Sequence, residues 1–153
     1  MPQAGSIEIR FGPRWKFISP ARIFIQNFVA VALSDRVKAD AVAMATNELL
    51  ENAVKYGTSD DTQCSVQAYD TGVIEAAVTN QASEQSAHEL KVIYDKIMSG
   101  DPLEAYIVQM REAATRTDGK SQLGLARIRY ETGAEMKLTI SADHRVTLTV
   151  IVK

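Results

Sequence analysis

The sequence predicts an α+β fold, a two-layer α/β sandwich in which a mostly antiparallel sheet carries helices on one face. Three observations lead there. Apolar residues alternate with polar ones in five short segments, the mark of half-buried strands. Longer segments between them carry apolar residues at helical spacing. The order is strand, two helices, two strands, helices, two strands, which lacks the regular β–α–β alternation of a parallel sheet.

Residues 7–11, Ile-Glu-Ile-Arg-Phe, alternate and read as the first strand, broken by Gly12-Pro13. Ser19-Pro20 reads as an N-cap followed by proline at the first helical position, opening a very apolar helix to about Leu33. Ser34 or Asp35 caps a second helix that runs to Tyr56, where Gly57 stops it. Residues 63–70 alternate, with Cys64, Val66 and Ala68 on one face; Thr71-Gly72 turns the chain, and residues 73–80 return. Asp70-Thr71-Gly72 spells an aspartic-protease triplet, but a hairpin turn accounts for it. Residues 83–100 are helical in pattern, and Asp101-Pro102 opens another helix with Glu104 placed for a capping box. Tyr106, Ile107, Met110 and Ala114 line that helix before a polar stretch at 116–120. Ser121 then caps a helix through Tyr130, ended near Gly133; strands at 135–142 and 145–153 flank a tight Asp143-His144 turn.

The bulk numbers fit one domain over residues 1–153: 46% of residues are hydrophobic and 24% charged. A net charge of −2 gives no basic surface for nucleic acid or an anionic membrane, so neither is an expected partner. The lone Cys64 cannot form an internal disulfide and reads as a buried, inert thiol. No basic region leads into an apolar stretch at the N-terminus, and the apolar run at 23–33, interrupted by Gln26 and Asn27, is too short to span a bilayer. The expectation is a cytoplasmic, soluble protein. His88 and His144 read as solvated surface residues.

The helix at 36–56 holds the chemistry. On a helical wheel Val37, Ala41, Met44, Ala45, Leu49, Ala53 and Tyr56 form an apolar stripe, and Glu48 and Asn52 fall within it, one turn apart. A carboxylate and an amide turned toward a core are costly unless something uses them. A hydrated Mg²⁺ would use both, since it takes oxygen ligands and keeps its waters and substrate phosphates. Lys55 lies on the same side, within reach of phosphate oxygens. The alternatives are a stripe edge that meets water, or a Glu48 paired with a lysine or arginine from elsewhere.

The segment Asn47-Glu-Leu-Leu-Glu-Asn-Ala-Val-Lys-Tyr56 resembles the N-box of the histidine-kinase-like (GHKL) ATPase superfamily, in the form seen in anti-sigma-factor serine kinases. Leu123-Gly124-Leu125, opening a helix, resembles the core of that superfamily's G2 box, where a glycine lets backbone N–H groups approach phosphate. The resemblance implies the Bergerat fold, with a helical lid-like insertion at about 83–120. It further implies ATP and Mg²⁺ as cofactors, Asn52 as the Mg²⁺ ligand, and Glu48 as the catalytic base. Asn52, Lys55, Asn80, Ser121, Leu123 and Gly124 would bind nucleotide, and the substrate would be a regulatory protein, anti-anti-sigma-like or sigma-like.

The sequence departs from that pattern at the G1 box, Asp-x-Gly-x-Gly. Asn80 stands where the Asp would be, and neither glycine is present in Gln81-Ala-Ser-Glu84. An Asn carbonyl can accept a bond from an adenine amino group but carries no charge. The glycine before Leu123 is also missing, and His144-Arg145-Val146 stands where Gly-Thr-x-Val often leads into the last strand. Two functions follow: a small protein kinase or ATPase in a partner-switching pathway, or a nucleotide-free interaction module on the same fold. In the second, the helix at 23–33 and the extra Leu50 and Val54 would serve association; residue by residue, plain core packing against the sheet is the alternative and the simpler reading. A homodimer fits either. A third, more distant reading is a small-molecule sensor with altered base preference.

Overall fold

Strands β1 (Gln3–Phe11), β2 (Gly57–Tyr69), β3 (Ile74–Ala82), β4 (Glu135–Ile140) and β5 (Arg145–Val152) form one sheet in the order β1-β2-β3-β5-β4, every neighbour antiparallel. The computed structural model describes residues 2–12, 14–117 and 122–153, apart from the side chains of Ser59 and Asp60. Five helices, α1 (Ile18–Leu33), α2 (Arg36–Tyr56), α3 (Glu84–Met98), α4 (Pro102–Thr115) and α5 (Leu123–Thr132), complete the expected two-layer sandwich.

Strand alternation places the core. Cys64, Val66 and Ala68 of β2, Ile74, Ala76 and Val78 of β3, and Val146, Leu148 and Val150 of β5 are all buried against the helices. Burial pushes the Cys64 thiol up to about 12, so it is inert at neutral pH as its setting suggested. The other face carries polar residues such as the hydrogen-bonded pair Thr79 and Thr147.

Several boundaries differ from expectation. β1 begins at Gln3 and β2 at Gly57, each extended by pairing rather than by alternation of its own residues. Ser19 is not the cap of α1. A 3-10 turn at Trp15–Phe17 hands the chain directly into the helix, so the preceding residue, Phe17, is already helical. Pro20 then sits in the first turn, where its missing N–H is no loss. Asp35 caps α2, accepting from the Lys38 N–H at 3.0 Å, while Ser34 closes α1 in the left-handed region at φ 52°. Ser83 and Asp101 cap α3 and α4 through the N–H groups of Ser86 and Glu104. The proposed Ser121 cap lies outside the described residues; α5 starts after Gln122 and ends at Gly133, φ 63°.

Helix α1 also corrects the length estimate for the apolar run. With the 3-10 turn, Trp15–Leu33 is 19 residues of continuous helix with mean hydropathy 1.2, long and apolar enough by length and composition to cross a membrane. Ile18, Ala21, Ile25 and Val29 face inward, and α1 packs along α2. Leu50 is fully buried and Val54 packs against the same core, so the core-packing alternative holds for both and neither is open to a partner as the interaction-module reading would need. Conversely Val37, assigned to the apolar stripe, is 80% exposed.

Candidate functional site

Helix α2 crosses the sheet with its C-terminal half facing the start of α5. Glu48, Glu51, Asn52 and Lys55 of α2 and Gln122, Gly124 and Leu125 around the start of α5 line one small cavity of about 10 Å³. Residues about 70 positions apart in sequence thus meet across the α2–α5 contact. Of the expected site residues, Glu48, Asn52, Lys55 and Gly124 converge there. Leu123 is the adjoining first residue of α5, and Ser121 lies outside the described residues.

Glu48 fills the space that an ordinary residue at 124 would need. A Cβ on Gly124 would overlap Glu48 Oε2 and lie 2.8 Å from its Cδ. The carboxylate therefore rests against the first turn of α5, the end of a helix that favours anions. Its oxygen Oε1 is 4.0 Å from Arg127 Nη1, an arginine that also pairs with Glu131 at 3.1 Å. Pairing with an arginine from elsewhere was one alternative for Glu48, and the structure realises it beside the α5 contact. Arg127 carried a sequence signal only in retrospect: it lies three residues after Gly124, on the same helical face.

Burial, and then the nearby Glu51 carboxylate, push the Glu48 carboxyl above the ordinary carboxylate range; Arg127 and Lys55 pull it back in part. A carboxyl raised in the folded state binds its proton more tightly there than in the unfolded chain. Its contribution therefore favours the fold at low pH, and stability falls as pH rises from the ordinary value through the raised one. A carboxyl raised in this way accepts a proton more readily than a solvated one.

Asn52 is 5% exposed, and its Oδ1 has no hydrogen-bond partner among the described residues. A buried carbonyl oxygen left unpaired costs about 1–3 kcal/mol. It lines the same cavity as Glu48. An oxygen of this kind fits a hard cation. Asn52 and Glu48 thus offer oxygens of the kind that suit a hard cation, and Lys55 and the start of α5 offer positive charge of the kind that suits an anion.

Asn80, expected at the base end, is not among the residues that line this cavity. It is buried at the end of β3, and its Nδ2 donates to the Gln81 carbonyl at 3.2 Å. Tyr56 and Gln122, both buried, are joined by a 2.8 Å bond from Gln122 Nε2 to the Tyr56 hydroxyl. Sequence reasoning gave Gln122 no role. The helices of the lid-like insertion supply none of the residues that line the cavity. α4 packs instead on α5, where Tyr106 stacks on Tyr130 with centroids 5.4 Å apart. Arg129 fastens the α3–α4 connection by donating to the Ile97 and Gly100 carbonyls, both at 2.8 Å.

An antiparallel sheet under a helical layer, with a polar cavity between α2 and α5, defines an α+β sandwich with a candidate anion and cation site. Among solved structures the chain is similar to a chain of the crystal structure of the SiaB–SiaC complex from Pseudomonas aeruginosa, with a TM-score of 0.68 over 95% of this chain and 88% of that one. Sequence identity is 16%, so the likeness is one of fold. No family model matches the chain, and no curated protein does.

Proposed function

We propose that this protein is a regulatory signalling protein that binds Mg²⁺–ATP between α2 and α5 and phosphorylates a regulatory protein partner. The observation that carries the reading is the convergence of Glu48, Asn52 and Lys55 on the start of α5, with Asn52 Oδ1 buried and unpartnered in the shared cavity. Bound Mg²⁺–ATP would supply the transferable phosphoryl group. Asn52 and Glu48 offer oxygens to the cation; Lys55 and the α5 backbone offer positive charge to phosphate. Glu48, with its raised carboxyl, would take the proton of an incoming hydroxyl once it swings off Gly124. Arg127 stands 4.0 Å from one Glu48 oxygen and orients it. The similar solved structure is of a two-protein complex, which agrees with a protein partner.

A second reading, a nucleotide-free interaction module, is favoured by one feature: a cavity of about 10 Å³ holds a single water-sized sphere. Calorimetric titration with ATP and Mg²⁺ separates the two. The first predicts binding by wild type that falls about 10–100-fold in Asn52→Ala. No binding by the folded wild type at millimolar nucleotide leaves the interaction module.

A further inference from the structure

Helix α4 buries only one residue, and that residue is polar. Gln109 is 2% exposed, at a place on the inner face where an aliphatic side chain would ordinarily pack. Its side-chain amide has no hydrogen-bond partner among the described residues. A buried amide is costly unless something pairs with it. Gln109 lines a cavity of about 290 Å³ between the C-terminal end of α3 and the first half of α4. That volume is close to the lower end of the range for small-molecule pockets, about 300–1,000 Å³. The cavity shares no lining residue with the one between α2 and α5. Ile97 and Val108 give it an apolar wall, and Asp101 and Glu104 bring carboxylates to it.

We propose that this cavity binds a small organic cation, an amine or guanidinium on a short aliphatic body. The sign follows from which charges are already committed. Lys96 also lines the cavity, but its ammonium is paired with Glu112. The Arg129 guanidinium is taken up by the Ile97 and Gly100 carbonyls. Asp101 caps α4 through the Glu104 N–H and so answers the positive end of that helix. The Glu104 carboxylate is exposed and has no ion-pair partner among the described residues. Across the cavity α3 ends at Met98, and the C-terminal end of a helix carries partial negative charge. The uncommitted charge around the cavity is therefore negative. A cation entering it would pair with Glu104 at the rim and donate an N–H to the Gln109 carbonyl oxygen within. Its methylenes would lie against Ile97 and Val108. Such an occupant pairs the amide that the fold leaves unpaired.

Titration of the ¹⁵N-labelled full chain with butane-1,4-diamine, with agmatine and with butanoate, followed by nuclear magnetic resonance, tests this. Both cations are expected to shift the side-chain amide of Gln109 and the backbone amides of Gly100 and Ala105, saturably and at millimolar affinity or better. Butanoate, of similar length and opposite charge, is expected to leave them in place. Gln109→Leu removes the amide at similar volume. It is expected to fold with an unchanged or higher Tm and to bind the cations about tenfold more weakly. Glu104→Gln, at an exposed position, is expected to weaken binding about threefold. No saturable shift from either cation at millimolar concentration, butanoate binding as well as the amines, or full affinity in either variant would each overturn the proposal.

Discussion

Gly57→Ala is expected to lower stability by about 1–3 kcal/mol, read as a fall in Tm of about 2–12 °C for a domain of this size. The reason is steric and local. At Gly57 the chain leaves α2 and enters β2 without a connecting turn. The residue is not in the left-handed region that usually selects glycine after a helix; its φ is −75° and its ψ 144°. An added Cβ would instead overlap the Ala53 carbonyl oxygen, which already accepts the Gly57 N–H, and would stand 3.5 Å from Asn80 Nδ2. A backbone oxygen in the last turn of a helix cannot swing aside as a side chain can. Either the final turn of α2 opens, displacing Lys55 and Tyr56, or β2 shifts at its paired start. Thermal unfolding followed by circular dichroism measures the loss; a Tm within a degree of wild type would show that the junction yields freely.

Gly124→Ala is expected to change sign with its background. In wild type the new Cβ displaces the Glu48 carboxylate from the first turn of α5, and the variant is destabilised by about 1 kcal/mol. In Glu48→Ala the same substitution meets little, because the two nearest atoms belong to the Glu48 carboxylate. Alanine is then the better helix former, and the protein gains up to about 1 kcal/mol. The coupling between the sites, taken from urea unfolding of all four proteins at neutral pH, is expected at about 1–2 kcal/mol. Additive changes would mean that the carboxylate does not occupy the start of α5.

The fold was largely legible because its strands alternate and its helices carry paired signals, a cap at one end and a stop at the other. Asp35, one of two candidates, and Asp101 are caps recognisable from sequence because short polar side chains before an apolar run have few other uses; Ser83, read only as part of the helix, is a third. The placing of Val37 in the apolar stripe shows where a helical wheel falls short. A helical wheel shows which residues lie together but not how many sides of a helix are covered. α2 is enclosed by the sheet, α1 and α5, so Leu50 on its back is core, while Val37, at the uncovered start, faces solvent. At the site, Glu48, Asn52 and Gly124 were legible because a polar pair inside an apolar stripe and a glycine opening a helix each break a local rule. Arg127, Gln122 and Tyr56 break none; their contacts exist only once α5 is laid against α2. Asn80 was placed by counting along β3, and the count could not reveal that its amide is turned to Gln81, away from the cavity.

Nuclear magnetic resonance of ¹⁵N-labelled protein titrated with Mg²⁺–ATP tests the central claim, that the α2–α5 cavity is the nucleotide site, most directly. The side-chain amide of Asn52 and the backbone amides of Gly124 and Leu125 are expected to shift together and to saturate at one affinity, with Asn80 moving less. Saturable shifts confined to other parts of the chain, or none at millimolar nucleotide, would contradict it.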